Sequence, residues 1–140
     1  MVRRHPVLRM RFYAVAGEPR QRVMTGEALD FIAGEAEGRS PEAARRFLGD
    51  EAHRPFALQR GPLLRVRLLA AAGGEQWLLV TIHHLVADFW SLAVLVRELA
   101  ACYGEEVGGP PAALEPVPRS YGDYVLQQET LLAGERGAEL

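Results

Sequence analysis

Residues 77–99 read WLLVTIHHLVADFWSLAVLVREL, and the fold turns on how this stretch divides. Its first half is apolar almost throughout, the pattern of a strand covered on both faces. Its second half repeats apolar residues at helical spacing, with Leu92, Leu95, Val96, Leu99 and Tyr103 on one stripe. Between them stand two adjacent histidines and, four residues later, Asp88. Successive side chains on a strand point to opposite faces, so His83 and His84 reach one small substrate or one metal ion only if the strand ends between them. A zinc site needs further ligands, and the candidates Asp88, His53 and His5 lie on separate segments without His-x-x-x-His spacing, so no metal site is expected. Asp88 has two readings. It caps a helix ahead of FWSL, a role Ser91 also suits, or it turns inward to a buried cation such as Arg9. A catalytic reading requires one neutral imidazole at the mouth of a cleft, with its neighbours fixing the turn that presents it.

Upstream, residues 7–15 alternate Leu8, Met10 and Phe12 against Arg9 and Arg11, a half-buried strand, and AGEPRQRVM reads as its turn and returning strand. A short strand is placed around Phe31 and Ile32. Ser40 and Pro41 open a helix running to about Ala52, with Ala44, Phe47, Leu48 and Ala52 inward. LLRVRLLAA is a strand that turns through AGGEQ into the opening stretch. After that stretch, residues 104–119 form an irregular crossover, and Ser120 caps a last helix over SYGDYVLQQETLL. The order of elements predicts an α/β lobe with mixed or antiparallel pairing and no internal domain boundary. Neither end reads as finished.

Composition narrows the class. Apolar residues make up 49% of 140, which suits a folded domain. All sixteen basic side chains are Arg and oppose eighteen acidic ones, for a net charge of −2, so nucleic acid is not an expected partner. The single cysteine, Cys102, excludes an internal disulfide and a Cys-rich zinc site, and reads as a small apolar helix residue. His83, His84 and Asp88 interrupt the longest apolar run, and the N-terminus lacks a secretory core, so no membrane association is expected and a bacterial cytoplasmic location is.

Four stretches in order carry a resemblance that goes further. HHLVADFWS resembles the HHxxxDG signature of nonribosomal peptide synthetase condensation domains, members of the chloramphenicol-acetyltransferase-like superfamily. RHPVLRMRF (4–12) is similar to their RHxxLRTxF strand, EAHRPFALQRGPLLRVRLL (51–69) to PFDLxxGPLLRxxL, and SYGDYVLQQ (120–128) to YxDYAxWQ. The resemblance implies a chloramphenicol-acetyltransferase-like lobe with a mixed, mostly antiparallel sheet and helices packed on it. It implies amide formation by aminolysis of a carrier-bound acyl or peptidyl thioester, with His84 as general base or positioning group. His83 is then a structural residue, Asp88 pairs with Arg9, and Phe89, Trp90 and Ser91 neighbour the substrate tunnel. No cofactor is expected on the chain itself; phosphopantetheine belongs to the donor and acceptor carrier proteins.

The resemblance also implies that residues 1–140 form most of an N-terminal lobe. The C-terminal lobe that would complete the tunnel is absent, and the isolated chain is expected to be inactive. The sequence departs from the family pattern at Phe89 (usually Gly), Met10 (Thr), Ala57 (Asp) and Gln127 (Trp). A glycine after the Asp permits an unusual backbone or leaves room, and Phe89 removes both. Two alternatives stay open: ester formation on a hydroxyl acceptor within the same superfamily, and a non-catalytic condensation-like module that recruits carrier proteins. The intact His-His pair argues against a heterocyclising domain, and the residues after Asp88 look more like condensation than epimerisation.

Overall fold

The computed structural model of the chain describes residues 1–26, 29–35, 40–70 and 74–134. A short 3-10 turn, Pro6–Arg9, leads into strand β1 (Met10–Val15), which folds back on β2 (Glu18–Val23) in antiparallel register from Met10 opposite Val23 to Val15 opposite Glu18. The two-residue turn between them holds Ala16 and Gly17 both at positive φ, 53° and 86°, as the hairpin twist demands. The strand expected from residue 7 thus begins only at Met10; Met10 and Phe12 face inward as the alternation predicts, while Leu8 is buried from the 3-10 turn.

Strand β3 (Asp30–Glu35) pairs in parallel with β4 (Leu64–Ala70), which pairs antiparallel with β5 (Gln76–Ile82). These form a three-stranded sheet of order β3-β4-β5, separate from the hairpin. Parallel neighbours need a crossover. Helix α1 (Pro41–His53) lies in that connection, started by Ser40, whose Oγ accepts the Ala43 N–H, with Pro41 in the first turn. The turn through AGGEQ falls partly outside the described residues.

The three-stranded sheet inverts the usual polar-out pattern. Leu69 packs under α1 against Ala44, Phe47 and Leu48, with Trp77 beside it. Alternation along β4 therefore turns Arg65 and Arg67 under the helix too, where they are 3% and 1% exposed. Two buried guanidinium groups need partners to offset their desolvation. Arg67 meets Glu51 of α1 at 2.5 Å and Asp30 of β3 at 2.8 Å, and donates to the Asp30 and Val66 carbonyls. Arg65 donates to the carbonyls of Glu51, Arg54 and Pro55, and its guanidinium carbon lies 4.3 Å from the Phe56 ring centroid. Burial alone would raise the Asp30 pKa, but hydrogen bonds and charge from Arg67 and then Arg54 outweigh it and hold the carboxyl below its usual range.

Among the described residues the opposite face of this sheet is largely uncovered. The expectation that β5 is covered on both sides fails here, because Leu78 is 53% exposed and Val80 only half-buried. A second small core, of Met10, Leu63 and Val86 with Val7, Phe12, Phe56, Leu58 and Ile82, joins the hairpin to the end of β5. Helix α2 (Phe89–Glu106) follows, then an irregular segment, then α3 (Tyr121–Ala133). Ser120 opens α3 with a reciprocal capping box, taking the Asp123 N–H while Asp123 takes its own.

The apolar stripe of α2 belongs to neither core, and Val96 and Tyr103 are 59% and 65% exposed. The buried residue of α2 is instead Glu98, which receives Arg4 at 3.0 Å and His5 at 2.6 Å. Arg4 also donates to the Glu115 carbonyl, so one carboxylate ties the first residues to α2 and the crossover. Among the described residues no helix is long and apolar enough to cross a membrane.

Candidate active site

Strand β5 ends at Ile82, one residue before the pair rather than between its members, and the turn begins at His84. His83 still behaves as a strand residue: its N–H donates to the Leu63 carbonyl at 2.9 Å. From there the chain closes a turn in which the Val86 N–H reaches back to the His83 carbonyl at 3.0 Å, and Val86 drops into the core. The His83 side chain supports the same turn. Its Nδ1 accepts the Leu85 N–H at 3.1 Å, which requires Nδ1 to be unprotonated and leaves Nε2 as the proton-bearing nitrogen of the neutral ring. The ring stands nearly perpendicular to Phe56, with centroids 5.8 Å apart.

His84 is different in every respect. It is exposed at the tip of this turn and makes no side-chain hydrogen bond among the described residues. Both ring nitrogens are therefore open to a reacting group. An open depression of about 310 Å³, lined by Ala33, Gly34, Leu68, Ala70 and Gln76, sits at the far end of β5. Among the described residues no three of His, Cys, Asp and Glu converge as a metal-binding group.

Asp88 takes the first of its two readings. It is exposed, extended, and caps α2: Oδ1 accepts the Ser91 N–H at 2.7 Å and the Ser91 hydroxyl at 2.6 Å. Those two bonds hold the carboxyl below its usual range, with a smaller electrostatic share from His84. The expected pairing with Arg9 is not formed. Arg9 donates from Nη1 to the Met24 carbonyl at 2.8 Å, and its buried Nε has no hydrogen-bond partner. The reason is geometric: the first-turn amides of α2 lie next to Asp88 and face outward, whereas the Arg9 guanidinium is taken up at the end of β2.

Phe89 is the first helical residue and has no positive φ, so this backbone does not require the glycine usual at that position. Its ring is 84% exposed and that of Trp90 76%, while Ser91 is half-buried beneath the cap. Phe89, Trp90 and His84 are thus each exposed. Two features escaped the sequence. Phe56 and Leu63, in a segment read only as loop and strand start, hold His83 by ring and backbone. Glu98, hidden inside an apolar stripe, turns toward Arg4 and His5. Only the RH pair near the N-terminus hinted at a buried acidic partner.

Comparison with known proteins identifies the family. The family model described as Condensation domain matches residues 1–139. Phosphinothricin tripeptide synthetase PhsB of Streptomyces viridochromogenes is 41% identical over 140 residues, covering 96% of this chain but 12% of that protein. The epimerization domain from the third module of tyrocidine synthetase B superposes with a TM-score of 0.82 at 28% identity, covering 96% of this chain and 30% of that one. The X-domain in its complex with OxyB from teicoplanin biosynthesis gives a TM-score of 0.76 at 29% identity, over 96% of this chain and 29% of the other. The chain is thus a small part of the length of its relatives, and the match spans nearly all of it: the chain belongs to the condensation-domain family.

Proposed function

We propose that this chain is the His84-bearing part of a condensation domain, forming an amide from a carrier-bound acyl or peptidyl thioester and an amine. In that reaction the amine nitrogen attacks the thioester carbon and a tetrahedral intermediate forms. The C–S bond then breaks, and the carrier's phosphopantetheine leaves as thiolate. His84 takes the proton given up by the attacking amine, or holds that amine in line; the thiolate is the final acceptor of a proton. What supports the reading is one contrast: His84 keeps both ring nitrogens free, while every neighbour in its turn is committed to holding the backbone that carries it.

The partners are donor and acceptor carrier proteins, in a bacterial cytoplasmic synthetase. Residues 1–140 supply most of an N-terminal lobe, and a further lobe of the same domain closes the tunnel over His84. Without that cover, water is not excluded and two thioester arms are not aligned, so the isolated chain is inactive. The test is His84→Ala in a synthetase polypeptide that contains this chain, with product read by mass spectrometry from loaded carriers. Amide formation is expected to fall by about 10²–10⁴-fold with carrier binding unchanged. Unchanged product would overturn the catalytic role in favour of a recruiting module, the alternative favoured by the likeness to an X-domain solved in complex with OxyB. Turnover by the 140-residue chain alone would refute the need for a second lobe.

A further inference from the structure

The segment from Phe56 to Leu63 grips His83 at two points. The Leu63 carbonyl accepts its N–H at 2.9 Å, and the Phe56 ring meets its imidazole nearly at right angles, 83° between planes and 5.8 Å between centroids. Phe56 is itself fixed from its other partners. The buried Arg65 guanidinium lies 4.3 Å from its ring centroid, and that guanidinium is anchored to the carbonyls of Glu51, Arg54 and Pro55. Phe56 also borders the core of Met10, Leu63 and Val86, and Val86 closes the histidine turn. A continuous set of contacts therefore runs from Arg65 through Phe56 and His83 to the Leu85 N–H, with His84 between the last two.

An imidazole that accepts a backbone N–H must keep that nitrogen unprotonated and in the plane of the donor. A ring free to rotate about its χ angles satisfies this only part of the time. An aromatic neighbour on its flank removes that freedom, and such pairs contribute roughly 0.5–1.5 kcal/mol beyond their burial. We propose that Phe56, clamped by Arg65, is a positioning residue for the active site: it fixes the His83 ring so that Nδ1 holds the Leu85 N–H, and so fixes the turn that presents His84. This rests on His84 being the reacting residue, but the contacts themselves do not.

The experiment uses the 140-residue chain with ¹⁵N-labelled histidine and records ring nitrogen shifts together with amide hydrogen exchange. In the wild type, His83 is expected as the Nε2–H form with an unprotonated Nδ1, and the Leu85 amide is expected to exchange slowly. Phe56→Leu, which keeps bulk and loses the ring, is expected to speed Leu85 exchange by about two- to tenfold, the pair energy expressed as an equilibrium. Phe56→Tyr is expected to restore it, with α1 and α3 amides unchanged in both. A wild-type His83 protonated on Nδ1 overturns the proposal whatever the variants do. So does unaltered Leu85 exchange in a folded Phe56→Leu chain, or failure of Phe56→Tyr to rescue. In a synthetase containing the chain, Phe56→Leu is expected to lower kcat with KM for the donor unchanged. Loss of the His84→Ala effect would remove the catalytic reading while leaving the exchange result standing.

Discussion

Two neighbouring histidines of identical chemistry end in opposite roles because the strand has ended at Ile82 and the turn that follows engages the first and leaves the second at its tip. His83 spends its backbone N–H on Leu63 and its Nδ1 on Leu85, while His84 keeps its ring free. Asp88 belongs with the first kind, since both Oδ1 contacts go to Ser91 of its own helix. That makes a firm expectation for Asp88 and Arg9, which a double-mutant cycle reads directly. Asp88→Ala is expected to lower the urea midpoint by loss of the cap, and Asp88→Asn, still a good cap, to retain it. Arg9→Ala is expected to act independently, so that the double variant shows the sum of the two. A substantial coupling energy would mean that the two side chains meet after all. The cap was legible from Asp88 standing just before an amphipathic run, whereas Arg9, weighed as the buried cation and implied by the resemblance as well, has its hydrogen bond at Met24 instead.

The hairpin and the β4 arginines show how far single elements follow local rules. The β1–β2 turn holds Ala16 at φ 53°, a conformation that costs an L-residue with a Cβ about 1–2 kcal/mol and that asparagine tolerates better. Ala16→Asn creates the favoured Asn-Gly turn and is expected to stabilise the chain by about 1 kcal/mol, a rise of a few degrees in Tm by calorimetry. Strand β4 breaks its local rule. Its arginines lie under α1 and its Val66 and Leu68 on the open face, because Glu51 and Asp30 complete the guanidinium shell. Arg67→Ala removes the buried cation that Asp30 and Glu51 share and leaves them Arg54, and is expected to cost about 2 kcal/mol in urea unfolding through the lost hydrogen bonds. Arg67→Met fills the space but restores none of the hydrogen bonds to the two acids, which keep Arg54, so it recovers only part of that loss. A chain indifferent to both changes would show that the ion cluster carries no stability.

What the sequence disclosed, and what it hid, follows from the range of the interactions. The strands, helices and caps at Ser40, Asp88 and Ser120 are short-range, and each left its mark in spacing or in a capping residue. The uncovered face of β5 and the exposed stripe of α2 depend on what packs across them, which no local pattern states. The Glu98 tie is of that second kind, spanning 94 residues to Arg4 and 93 to His5. It joins the first residues of the chain to α2, parts that neither apolar core connects. Burial by itself would raise the Glu98 pKa, but hydrogen bonds from Arg4 and His5, with their charge, hold it below its usual range. A carboxyl whose folded pKa is depressed adds stability that is complete above its unfolded value, about 4.3, and is lost as pH falls through the folded one. Amide exchange across α2 is therefore expected to accelerate below about pH 4.5 before that of α1, as the tie to Arg4 and His5 is released. Glu98→Gln is expected to give the fast α2 exchange already at neutral pH and to flatten this acid response. If the Gln variant kept the wild-type pH profile in α2, the acid sensitivity would have to come from another carboxyl, Asp88 first among them because it caps α2 and the Ser91 hydrogen bonds lower its pKa in the same direction.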